Sequence, residues 1–216
     1  MRRSSDDTRT GSQAGKIPGN PDIKTMSITP LSKENLRATK IQRKDFDEIP
    51  RNPIYLVLDS LKCAHNIGTI LRLADAVLAT KVYICGNTIV PPNQKIKSAS
   101  RGAEKWVPWE YRENVIEVVR ALKDSGINIV SLEVASSSVP YTEVSYQLPV
   151  CIVMGREYDG VSPEVLDLSD HIVHLPIFGM ANSLNVSTAA SVMMYEILKL
   201  IEPASADQNS KLAAAG

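Results

Sequence analysis

Four stretches set small polar and charged residues directly behind short apolar runs. Leu58 leads into residues 59–68 (DSLKCAHNIG), Val130 into Ser131, Leu132 and Glu133, Val153 into residues 154–160 (MGREYDG), and His174 into residues 175–185 (LPIFGMANSLN). Glycine and small polar residues at a strand-to-helix turn leave backbone N–H and C=O groups free for a ligand. In an open parallel sheet such turns lie outside the carboxyl ends of the strands, which is where ligands bind. Asn66, Glu133, Glu157, Ser183 and Asn185 add hydrogen-bonding side chains to these turns, and Arg72 follows Asn66 with its apolar neighbours on the opposite helical face. By pattern alone Arg72 is a solvated helix arginine and Asn66 a helix N-cap. Taken singly, turns of this kind are common in α/β domains and select no reaction.

Absent motifs narrow the chemistry. The chain has no G-x-G, hence no dinucleotide fingerprint, and no Walker A sequence. It has no G-x-S-x-G elbow for a serine hydrolase. His65, His171 and His174 show no metal-ligand spacing to cysteines or carboxylates, so no metal site is expected and the last two are read as flanking a strand. Cys63, Cys85 and Cys151 lie scattered in apolar surroundings, which predicts buried, reduced thiols and a cytoplasmic protein. The N-terminus lacks the apolar core of a secretory signal, and no apolar run reaches the ~18 residues of a membrane helix. Net charge is zero, but residues 1–51 hold 11 Lys and Arg against 7 Asp and Glu. Any RNA affinity must then come from local patches, of which Lys33, Arg37, Lys40, Arg43 and Lys44 form the best candidate, with a solvated helix face as the plain alternative.

The elements that must position these residues follow from hydrophobic periodicity. Strands are predicted at 54–58, 81–85, 127–132, 150–154 and 172–175. Helices are predicted at 66–77, 95–102, from Val115 to a stop at Gly126, and 185–201, with Ser162 and Pro163 as N-cap and first residue of another. Strands alternating with helices mean an α/β fold with a largely parallel sheet flanked by helices. Residues 1–28 are polar and read as a disordered or added N-terminal segment, with Met26 as an alternative start. Residues 29–52 form a basic extension, 53–203 the folded domain, and 204–216 a flexible tail whose KLAAAG ending resembles a cloning scar.

The turns in combination are more specific than any one of them. Residues 66–76 (NIGTILRLADA) resemble the first motif of the SpoU/TrmH-type RNA 2′-O-ribose methyltransferases of the SPOUT superfamily. Residues 153–162 (VMGREYDGVS) resemble their second motif and 175–190 (LPIFGMANSLNVSTAA) their third, in the same order. The resemblance covers roughly 53–201. It implies a C-terminal trefoil knot, against the general rule that chains are unknotted. It also implies S-adenosyl-L-methionine as cofactor, a tRNA or rRNA substrate, and a homodimer with its active site near the interface. Leu132 and Glu133 would border one cofactor loop, Gly155 would form the second, and Ile177, Gly179, Ser183 and Leu184 the third.

By the same resemblance Arg72 matches the family's catalytic arginine, with Asn66, Glu157, Ser183 and Asn185 as the other candidates. An arginine keeps its proton to above about pH 12. A phosphate clamp or a stabiliser of the developing alkoxide therefore suits Arg72 better than a general base. Glu157 is expected to orient Arg72 or Asn66, and one of Ser183 and Asn185 to cap the last helix. Arg156 and Tyr158 replace other polar residues common at these positions; contact with RNA is open to them, and they carry no catalytic assignment. Met194, Ile197, Leu198 and Ile201 form an apolar stripe suited to a dimer contact. Two other readings stand beside ribose methylation: a catalytically silent knotted RNA-binding or assembly factor, and a small-molecule α/β binding protein.

Overall fold

A computed structural model describes residues 30–38, 46 and 48–201. Along these described residues run the helices α1 Lys33–Ala38, α2 Ala64–Ala76, α3 Gln94–Ser100, α4 Val115–Asp124, α5 Pro163–Leu166 and α6 Val186–Leu198. The strands are β1 Asn52–Asp59, β2 Ala79–Cys85, β3 Trp109–Arg112, β4 Asn128–Leu132, β5 Val139–Pro140, β6 Val150–Met154 and β7 His171–His174. They form one sheet in the order β3-β2-β1-β6-β4-β7-β5. Every neighbouring pair is parallel. The α/β class and the helix-flanked parallel sheet agree with the periodicity.

The central strand β6 is buried at every residue. A parallel strand covered by helices on both faces has no polar side, which is why its sequence, VCIVM, does not alternate. Leu56 and Leu58 of β1 pack in one core with Ile67, Ile70 and Leu71 of α2, Ile96 of α3 and Met193, Met194 and Ile197 of α6. Val57 faces the other way, into a core with Val118, Val119 and Leu122 of α4 and Val165 of α5. The register pairs Leu58 with Met154, Met154 with Leu132, and Leu132 with Val173. Asp59, Gly155, Glu133 and His174 therefore leave the sheet side by side at its carboxyl edge.

Several expectations shift. The sequence reading omitted β3 and β5, both edge strands of two to four residues, too short and too exposed to show a period. β1 begins before Pro53, and its pairing with β2 slips between Asn52 and Tyr55; proline lacks the N–H that a regular ladder would use there. Helix α2 starts at Ala64 with Cys63 as its N-cap, so Asn66 lies inside the first turn and is not the cap. Ser162 precedes α5 as expected, yet its hydroxyl makes no capping bond and donates instead to Asp59. Cys85 and Cys151 are buried, but Cys63 is exposed on the turn after β1. His171 and His174 open and close β7. The stripe on α6 is partly used up within the chain, since Met194 and Ile197 belong to the chain's own core. Lys33 and Arg37 are exposed on α1. Lys40, Arg43, Lys44, and the segments 1–28 and 204–216 lie outside the described residues.

Candidate active site

The turns after β1, β6 and β7 meet at one side chain. Asn66 is only 3% exposed. Its Nδ2 donates to Glu157 Oε1 at 2.9 Å, and its Oδ1 accepts from Asn185 Nδ2 at 3.1 Å. Asn185 in turn caps α6, its Oδ1 accepting from Ser187 N at 2.9 Å and Ser187 Oγ at 2.7 Å. Each residue uses the groups its type supplies: an amide both donates and accepts, and a carboxylate only accepts. Asn185, not Ser183, is thus the cap, and Glu157 holds Asn66, not Arg72.

Glu157 carries a second duty. Its Oε1 accepts from Cys63 N at 3.1 Å and its Oε2 from Lys62 N at 3.2 Å, fixing the chain as it enters α2. Partial burial pushes its carboxyl up, but the hydrogen bonds from Lys62 N, its own backbone, Asn66 and Cys63 N outweigh this and hold it below the ordinary carboxylate value.

A parallel clamp joins the turns after β4 and β6. Glu133 Oε1 accepts from Val134 N at 2.9 Å and Oε2 from Val161 N at 2.8 Å. Arg156 and Gly160 exchange two backbone bonds of 3.0 Å across the intervening turn. Gly160 has φ +70°, and a Cβ there would stand 2.2 Å from Glu133 Oε2. A Cβ on Gly155 would lie 2.0 Å from the Gly160 carbonyl carbon. Gly155 is required by close backbone approach, and Gly160 by its left-handed φ beside the Glu133 carboxylate. Asp59, 2% exposed, anchors the end of this turn by accepting from Ser162 N at 3.2 Å and Ser162 Oγ at 2.8 Å. His174 Nδ1 lies 2.9 Å from Ser138 Oγ, tying β7 to the segment after β4.

These turns enclose a cavity of about 390 Å³, within the range of small-molecule sites. Leu132, Glu133, Gly155, Glu157, Ile177, Ser183, Leu184 and Asn185 line it. Asn66 sits behind that wall, bonded to two lining residues. Gly179 is outside the lining and exposed. Arg72 is also outside it and exposed, and among the described residues no hydrogen bond or ion pair engages its guanidinium. It stands about 9 Å along α2 from Asn66 and about 120° round the helix axis, on the same face as His65. The lining also includes Arg156, Tyr158, His174, Asn182 and Ala189; their place at strand ends and on the first turns of α6 was the available signal. A larger hollow of about 980 Å³ lies beside α4, lined by Ser60, Tyr83, Arg112 and Asn114 among others. It holds none of the candidate residues. Among the described residues no three His, Cys, Asp or Glu side chains gather as a metal site. None of the helices there is long and apolar enough to cross a membrane.

Residues 53–195 match the model of the SpoU rRNA Methylase family. A Staphylococcus saprophyticus protein named for the TrmH family of tRNA/rRNA methyltransferases is 37% identical over 172 residues, 80% of this chain and 68% of its own length. The tRNA (guanosine(18)-2′-O)-methyltransferase of Aquifex aeolicus is 36% identical over 140 residues, 64% of this chain and 65% of its own. The structure of an AdoMet-bound rRNA methyltransferase from Sinorhizobium meliloti superposes with a TM-score of 0.66 at 28% identity, covering 73% of this chain and 60% of that one.

Proposed function

Since the chain belongs to the SpoU rRNA methylase family, we propose that it is an S-adenosylmethionine-dependent RNA methyltransferase acting on a ribose 2′-hydroxyl of tRNA or rRNA. The observation that carries this reading is the Glu157–Asn66–Asn185 junction, which locks all three family motifs around one small-molecule cavity. The names of the Aquifex and Sinorhizobium relatives support the substrate class and the cofactor.

The cavity suits that cofactor by charge. S-adenosylmethionine carries an ammonium, a sulfonium and a carboxylate. The lining carries two carboxylates, Glu133 and Glu157, and one guanidinium, Arg156. Leu132, Ile177 and Leu184 supply apolar wall for the adenosine. When bound, the cofactor supplies an electrophilic methyl group. The chain's part is to hold the reactants in line and to stabilise charge developing on the 2′-oxygen. Asn66 and Glu157 fix the wall against which the ribose would sit. Arg72, exposed and unengaged among the described residues, has its planar donor fork free for the alkoxide or a flanking phosphate. The presence of Asn66, Arg72, Glu157, Ser183 and Asn185 together counts against the catalytically silent alternative.

The knot, the homodimer and the division into a basic extension at 29–52 and a methyltransferase domain at 53–203 belong to this proposal. Phe178 and Met180, both almost wholly exposed on the turn after β7, and half-exposed Tyr195 on α6 support a covered apolar surface there.

The test is methyl transfer from labelled S-adenosylmethionine to transcribed tRNA and rRNA fragments, followed by nucleoside analysis. Methyl label on a ribose 2′-oxygen is expected. Label on a base, or folded protein that binds no S-adenosylmethionine by calorimetry, overturns the reading.

A further inference from the structure

Arg156 stands where the family resemblance gave no role, and its surroundings are unusual. Among the described residues it is the one lysine or arginine lining the cavity. Its backbone is fixed by the paired bonds to Gly160, and Glu133 fixes the next residue, Val161. The side chain is only partly satisfied. One terminal nitrogen lies 3.2 Å from Asp159 Oδ2, while Nε is buried with no hydrogen-bond partner among the described residues. Asp159 is itself mostly exposed, so that pair is a weak competitor. A guanidinium has five N–H donors, and a buried donor without an acceptor is costly. A planar anion entering the cavity would relieve that cost.

We infer that Arg156 is the residue that recognises the carboxylate at the amino-acid end of the cofactor. The inference rests on the cofactor reading above. The anion could in principle be a carboxylate or an RNA phosphate. The balance of charges favours the carboxylate: Glu133 and Glu157 supply the negative charge of the lining, with their oxygens held by N–H donors of the chain, which leaves Arg156 for the ligand's single anionic group. Arginine also fits a carboxylate with two parallel bonds. Arg156 is thereby a specificity residue, selecting the intact cofactor over fragments that lack the carboxylate.

The experiment compares binding of S-adenosylmethionine and decarboxylated S-adenosylmethionine by calorimetry, to the wild-type full chain and to Arg156→Ala and Arg156→Gln. Wild type is expected to prefer the intact compound by about tenfold or more. Both variants are expected to lose that preference while binding the decarboxylated compound within about twofold of wild type, which also shows that they are folded. A preference retained in both variants overturns the inference and leaves the cofactor reading standing. Wild type binding neither compound overturns the cofactor reading itself. RNA affinity is measured in parallel by gel shift; variants that lose RNA affinity but keep the cofactor preference assign Arg156 to a phosphate, against the inference.

Discussion

Removing the Glu157 carboxylate tests whether the junction of the three motifs is held as described. Glu157→Ala deletes acceptors for Lys62 N, Cys63 N and Asn66 Nδ2. Hydrogen bonds to a charged group contribute ~1.5–3 kcal/mol when buried. Glu157 is exposed, and solvent competes for each bond, so roughly 0.5–1 kcal/mol apiece is appropriate. The sum is about 2 kcal/mol at pH 7. Glu157→Gln keeps an acceptor at the Oε1 position and turns an amide toward Lys62 N, so about 1 kcal/mol is expected. The pH dependence fixes the sign. The folded-state pKa of Glu157 lies below its ordinary value. Its stabilisation is therefore complete above the unfolded carboxylate pKa, near 4.3, and is lost as pH falls through the depressed folded value. Urea unfolding of wild type and both variants at pH 7 and at successively lower pH measures this. The difference between wild type and Glu157→Gln should shrink below about pH 4. A double-mutant cycle with Asn66→Ala should give a coupling of at least about 0.5 kcal/mol. A loss below about 0.5 kcal/mol for the alanine variant at pH 7, or an additive cycle, would refute the account of the junction.

Three further outcomes follow from the same geometry. Arg72→Ala should lower single-turnover methyl transfer by on the order of 10²–10³, with cofactor affinity and melting temperature unchanged because the side chain is unengaged; Arg72→Lys should be severely impaired as well, and wild-type turnover in Arg72→Ala would remove this residue from the mechanism. Gly155→Ala should destabilise the fold by about 3 kcal/mol or more, since its Cβ would meet backbone and not a flexible side chain; a melting curve matching wild type would contradict the close approach. Glu133→Ala should release Val161 N and weaken S-adenosylmethionine binding by about tenfold, with far-ultraviolet circular dichroism unchanged; unaltered affinity by calorimetry would show that the clamp does not shape the cavity.

Hydrophobic period alone determined the class of the fold. The buried strands β1, β4 and β6 and the helices α2, α4 and α6 each carry enough apolar residues at a regular spacing to declare themselves, because burial on a sheet or helix face is a local pattern. Edge strands β3 and β5 were illegible for the same reason reversed: pairing on one side only demands little of their side chains. Three ordered motifs also singled out the turns that meet in space, and Leu132, Glu133, Gly155, Ile177, Ser183 and Leu184 line one cavity. What the sequence left open were questions of partner. Glu157 had two candidate partners and Ser183 and Asn185 competed for one cap; the parallel register that sets the ends of β1, β6, β4 and β7 abreast decided both, since Asn66 and Asn185 lie 119 positions apart yet within one hydrogen bond. The unsatisfied Nε of Arg156 is likewise invisible in a string of letters. A hydrogen bond between distant residues is settled by where the backbone carries each donor and acceptor, and only the folded chain fixes that.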